Sequence, residues 1–228
     1  MGGRAGRPER EPGHDGAGGA GAGLAAKKKS VHAAEHDTAR VRALRAVFLE
    51  AVQREDFTRF KFVDETGTNL TYCRRYPRAE GGQRAHQAMP LHGGPNVTLV
   101  AALTPNGLQA AMTVSGAVNG DVFAAYLNQV LGPTLVSGDV VVLDHLPAHK
   151  VAGLAQLVEA RGARLLYLPP YSPDFNPIEL AFSKLKTRLR TAQARTRDAL
   201  EAVIQTATEW VTKADAENWF DHCGYHVH

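Results

Sequence analysis

The sequence holds only two cysteines, Cys73 and Cys223, far apart and in no paired pattern. That excludes a disulfide framework and favours a reducing compartment. No apolar run approaches the roughly 18 residues of a transmembrane helix, so no membrane partner is expected. The N-terminus also lacks the apolar core of a signal peptide. These absences point to the cytoplasm. Large side chains are scarce at the start: residues 1–26 hold nine glycines and almost no large apolar residue. Such a segment cannot bury enough surface to offset chain entropy, so it is expected to be disordered. Acids are missing where bases cluster. From Leu180 to Arg197 there are six Lys/Arg and no Asp/Glu.

What remains suits one sizeable domain plus an appendage, with 228 residues and a hydrophobic content of 44%. The net charge is only +3, but it is concentrated in Lys27-Lys28-Lys29 and in the Lys184–Arg197 region. A basic run is either a solvated face or a nucleic-acid contact, and its concentration here favours the second.

Hydrophobic periodicity orders the chain. Val41, Leu44, Val47, Phe48 and Val52 predict a helix over 37–56. Strands are expected at Phe60–Asp64, Leu70–Tyr76, Asn96–Leu103 and Leu108–Val114, with Pro105-Asn106-Gly107 as a hairpin loop. Residues 77–95 read as an ordered loop. A helix over 121–131 precedes the run Val140-Val141-Val142-Leu143, whose four consecutive apolar residues suit a strand buried on both faces. A helix over 149–161, a strand over 163–168 and a helix over 198–213 follow. This pattern predicts an α/β fold, a mixed sheet with helices on both faces. The closing His222, Cys223, His226 and His228 match no paired zinc-ligand spacing.

Pro169 to Asn176 is a stiff loop with prolines at 169, 170 and 173, and Pro177 suits the first position of a helix. Glu179 has two readings there. Asn176 sits where an N-cap belongs, and Glu179 three residues later completes a capping box. Alternatively Glu179 is a metal ligand, carried on a stripe with Ser183, Lys186 and Arg190 beside the buried stripe of Ile178, Phe182, Leu185 and Leu189.

Asp64 and Asp144 shift that balance. Each ends an expected central strand, and parallel neighbours would bring both to one sheet edge, where α/β folds bind ligands. Three clustered carboxylates repel one another unless a cation joins them. Hard oxygen ligands of this kind select Mg²⁺ or Mn²⁺. Two such ions suit phosphodiester displacement. A phosphatase nucleophile at Asp64 would want a second aspartate two residues on, and position 66 is Thr.

Three blocks carry a family resemblance: Phe62-Val63-Asp64-Glu65-Thr66-Gly67, then Val142-Leu143-Asp144 with His149-Lys150, then Leu168 to Glu179 through Pro169-Pro170-Tyr171-Ser172-Pro173-Asp174-Phe175-Asn176-Pro177. They resemble the catalytic blocks of DDE transposases, in the bacterial insertion-sequence branch of the mariner-like superfamily. The 34 residues between Asp144 and Glu179 fit that likeness. The resemblance covers roughly 27–225. It implies a ribonuclease-H-like fold, two divalent ions, hydrolytic nicking at transposon ends and strand transfer into target DNA. It implies Asp64, Asp144 and Glu179 as metal ligands and catalytic groups. It gives His149 and Lys150 a phosphate-contacting role, which joins Lys184, Lys186, Arg188 and Arg190 as the expected DNA contacts. Double-stranded DNA is the implied partner, at the nucleoid, with a homodimer as the working assembly. The corresponding organisation is a disordered segment 1–26, a basic linker and helix over 27–58, and a catalytic domain over 59–228.

Two departures stand out. His145 follows the second aspartate where the family usually has asparagine. Full-length relatives carry an N-terminal helix-turn-helix region, whereas only Gly-rich sequence precedes Lys27. The competing reading is a transposase remnant that binds DNA without cutting it.

Overall fold

The computed structural model describes residues 33–74, 80–81, 83–150 and 152–226. The expectations for residues 1–26 and for Lys27-Lys28-Lys29 lie outside the described residues. Five strands form one sheet: β1 (Phe60–Thr68), β2 (Val97–Thr104), β3 (Gly107–Ser115), β4 (Val140–Leu143) and β5 (Arg164–Tyr167), in the order β3-β2-β1-β4-β5. β1, β2 and β3 pair antiparallel, whereas β4 runs parallel to both β1 and β5. All eight residues of β2 and all four of β4 are buried, as covered strands require. β2 and β3 turn through Pro105-Asn106 into Gly107, whose φ of +122° suits glycine and whose missing Cβ would meet the Val211 carbonyl at 3.0 Å.

Among the described residues seven α-helices cover the sheet: α1 (Ala39–Val52), α2 (Gly120–Tyr126), α3 (Leu154–Glu159), α4 (Ile178–Ala192), α5 (Arg197–Gln205), α6 (Ala207–Trp210) and α7 (Lys213–His222). On one face, Phe48 and Val52 of α1, Ile178, Phe182, Leu185 and Leu189 of α4, and Phe220 of α7 bury against Phe60, Phe62, Leu99 and Leu103. On the other, Phe123, Tyr126, Leu154 and Val158 bury against Val63, Val100 and Val141. Each such apolar side chain contributes about 1.5–3 kcal/mol on burial. The mixed sheet with helices on both faces is therefore as expected. α1 shares the core with the sheet, within one compact unit, Ala33–His228. Among the described residues no helix is long and apolar enough to cross a membrane.

Several elements differ from expectation. β1 does not stop at Asp64. It runs on to Thr68, because Asp64 to Thr68 pair with Ala101 to Val97 of β2. Asp64 is thus inside a strand, not at its end. No strand forms at Leu70–Arg74; there Arg195 donates to the carbonyls of Leu70 and Tyr72, so side-chain bonds replace a ladder. Residues 75 and 76 of that expected strand lie outside the described residues. The helix over 149–161 splits. Pro147–Lys150 is a 3₁₀ turn, and α3 starts only after Gly153, whose φ of +94° breaks a helix. The helix over 121–131 becomes α2 and a π-helical turn, Leu127–Leu131. The helix over 198–213 is two pieces, α5 and α6, meeting at Thr206.

Candidate active site

Asp64 lies in the middle of β1 and is only 5% exposed. β1 and β4 align Phe60 with Val140 and Phe62 with Val142. Continuing that register brings Asp64 level with Asp144, the first residue past β4. The two acids are therefore side by side, Asp64 within β1 and Asp144 just past the end of β4. Asp64 accepts from the Glu65 amide at 2.7 Å and from Asn176 Nδ2 at 2.9 Å. Burial pushes its carboxyl up to about 8, and the charges of Glu179 and Asp144 push the same way. Those two couplings place all three expected acids in one electrostatic field.

Asp144 is held differently. Its Oδ1 accepts from the Leu146 amide at 2.9 Å and meets His149 Nδ1 at 2.6 Å. The other ring nitrogen, Nε2, meets Glu65 Oε2 at 3.0 Å. A carboxylate only accepts, so two carboxylate partners require protons on both ring nitrogens. Burial pulls the His149 ring down, but the hydrogen bonds to Asp144 and Glu65 outweigh it and lift the ring to about 9. Burial likewise pushes Asp144 up, and the bonds from His149 and Leu146 more than offset it.

The third acid arrives through the proline loop. A 3₁₀ turn, Pro173–Phe175, leads to α4, and Glu179 is exposed in its first turn. The capping-box reading fails here. No side chain caps α4, because the Asn176 side chain turns to Asp64 instead. The turn is anchored from α1, where Arg45 makes a bidentate pair with Asp174 at 2.9 and 2.6 Å and lies 3.9 Å above the Phe175 ring. Phe48 stacks on Phe175 from the same helix, at 5.6 Å.

Asp144, Glu179, Asn176, Lys150 and Arg40 line one cleft of about 710 Å³. The donors facing it suit a hard cation: they are oxygens, and the buried Oδ1 of Asn176 has no partner. Among the described residues, however, no three acid, histidine or cysteine side chains close into a metal cage.

The family described as DDE superfamily endonuclease matches residues 59–201, more than half of the chain. The chain belongs to that family. All three acids fall inside the matched region. A comparison with curated protein sequences finds no match. Among solved structures, a pre-cleavage Mos1 transpososome matches over 90% of this chain and 64% of its own, with a TM-score of 0.69 and 14% identity. A Mos1 mariner paired-end complex with Mn matches over 88% and 64%, with a TM-score of 0.67 and 15% identity. The isolated catalytic domain of Mos1 mariner transposase matches over 81% and 85%, with a TM-score of 0.59 and 13% identity. These likenesses carry the ribonuclease-H-like fold. The chain spans about 64% of the length of the Mos1 transpososome chain.

In this DDE endonuclease the expected DNA contacts separate into three kinds. Lys150 is exposed beside the acids. On α4, Arg188 is exposed and Lys186 and Arg190 half-buried; the Arg188 and Arg190 guanidinium groups lie over the rings of Trp210 and Tyr72. Two others are engaged within the protein. Lys184 is tied to Asp215 at 2.6 Å and to the Trp210 carbonyl at 2.9 Å, joining α4 to α7. His149 is fully buried. His145, which replaces the family's asparagine, stacks on Tyr167 at 5.5 Å. Cys223 is buried in the core. Sequence reading missed Glu65, the partner of His149, and Arg40 in the cleft wall. The five-residue step from Asp144 to His149 across Pro147 was the available sign, hidden by the assumption of a helix there.

Proposed function

We propose that this DDE endonuclease is a transposase catalytic domain that cleaves DNA and transfers the cut strand with the help of two divalent ions, Mg²⁺ or Mn²⁺. What supports this reading is that Asp144 and Glu179 line one cleft and that the charges of both raise the Asp64 carboxyl. Asp64, Asp144 and Glu179 would hold the ions. Bound there, the ions supply positive charge to the attacking and leaving oxygens of a phosphodiester. The chain's own groups do the rest. Lys150 and Arg40 hold the phosphate backbone at the cleft, and the proline loop aims Glu179. The Mos1 complex with Mn supports the choice of metal. Linear duplex ends, a target duplex and a second copy of the chain are the partners this reading implies.

The test is nicking of supercoiled plasmid. Nicks should appear with Mg²⁺ or Mn²⁺ and vanish with EDTA, with Asp144→Asn and with Glu179→Gln, while DNA affinity holds. Cleavage that survives chelation or either substitution sinks the mechanism.

A further inference from the structure

Resting on that reading, we propose that His149 and Glu65 are a positioning pair, which fixes the Asp144 carboxylate so that one oxygen is spent on protein and the other is left for the cation. Asp144 needs such help. It follows the last residue of β4, so no ladder bond on its far side holds its backbone. Its carboxylate is only half-buried and would otherwise rotate. Oδ1 takes both protein contacts, from the Leu146 amide and from the His149 ring. Oδ2 has no hydrogen-bond partner among the described residues.

The ring is itself clamped. It is fully buried, and its centroid lies 4.2 Å from that of Phe123. The His149 carbonyl accepts from the Tyr167 hydroxyl at 2.6 Å, and its amide donates to the Leu146 carbonyl at 3.0 Å. Its second nitrogen is held at 3.0 Å by Glu65. Glu65 neighbours Asp64 on β1, and successive strand residues point to opposite faces. The bridge therefore ties the strand that carries the first acid to the side chain of the second. A histidine kept only for packing needs no acid on each nitrogen. Groups that orient ligands in this way typically change metal affinity by 10–100-fold when lost.

The test titrates Mn²⁺ into the DNA-free chain by calorimetry, with plasmid nicking and DNA affinity measured alongside. His149→Gln moves the amide nitrogen away from Asp144 and should weaken Mn²⁺ binding by about tenfold or more. His149→Asn keeps a donor where Nδ1 stands and should restore most of that loss. Glu65→Ala, on a partly exposed side chain, should give an intermediate loss with an intact fold, and so reads the bridge even if a His149 variant fails to fold. DNA affinity should stay within about twofold, because the ring is buried away from phosphate. Asp144→Asn is the reference. If it weakens Mn²⁺ binding while folded His149→Gln and Glu65→Ala do not, the positioning proposal is overturned and the metal site stands. If Asp144→Asn leaves Mn²⁺ binding unchanged, the metal-site reading itself falls.

Discussion

Asn176 shows how one side chain decides between two readings of its neighbours. Its amide nitrogen donates to Asp64 at 2.9 Å, so it is not available to cap α4. Glu179 is thereby left without the reciprocal capping bond and faces the cleft. Burial and the Glu179 and Asp144 charges all raise the Asp64 carboxyl, so without a cation these acids oppose one another. Neutralising Glu179 should relieve part of that opposition. Glu179→Gln is expected to raise the stability of the metal-free chain by about 0.5 kcal/mol, a small figure because Glu179 is exposed and screened. The same variant should lose most of the thermal stabilisation that Mg²⁺ or Mn²⁺ gives the parent. Melting curves with and without metal measure both effects. A variant that melts lower without metal, or that still gains fully from it, contradicts the shared charge field.

Among the elements, two joints hold α4. At its start, α1 grips the Pro173–Phe175 turn through Arg45 and Phe48. Further along, Lys184 reaches across to Asp215, which also closes the capping box of α7 with Thr212. The hydrogen bonds from Lys184 and Thr212 hold the Asp215 carboxyl down to about 2. The folded-state value is thus depressed below the unfolded one, 3.8. Its contribution to stability is present above the unfolded value and is lost as pH falls towards the folded one. Lys184→Met should therefore lower the melting temperature at about pH 6, and the gap from the parent should shrink as pH drops towards about 2. A gap that stays constant over this range would show that the pair adds only packing. The basic face of α4 looked uniform as sequence; the fold assigns its first lysine to this joint and leaves the rest outward.

At the scale of the whole molecule, the proposed function makes Lys150 at the cleft and the outward cations of α4 the contacts for a phosphate backbone. Duplex affinity should fall linearly with the logarithm of salt, and each phosphate contact contributes about 0.9 to the slope. Lys150→Ala and Lys186→Ala should each flatten the slope by about that amount, whereas Lys184→Ala should leave it unchanged. Fluorescence anisotropy on a short duplex at several salt concentrations separates these outcomes. An equal change for all three lysines would mean that the cations act only as a diffuse field.

Much of this was legible in the residues themselves. The apolar run before Asp144, the periodicities of α1 and α4, and the hairpin at Pro105-Asn106 are local signals, set by side-chain spacing and backbone preference, and they survive in the fold. The three acids also stand out in the sequence, because each terminates or interrupts a pattern that would otherwise be apolar or capped. What no local rule contains is partnership across the sheet. The length of β1 depends on which residues β2 offers for pairing. The burial of His149 depends on two acids brought to it from β1 and from the end of β4. The direction of the Asn176 side chain depends on a carboxylate 112 positions earlier. Chain spacing determined which groups this protein has for its chemistry; only long-range packing decided which of them face the cleft and which are spent holding the others in place.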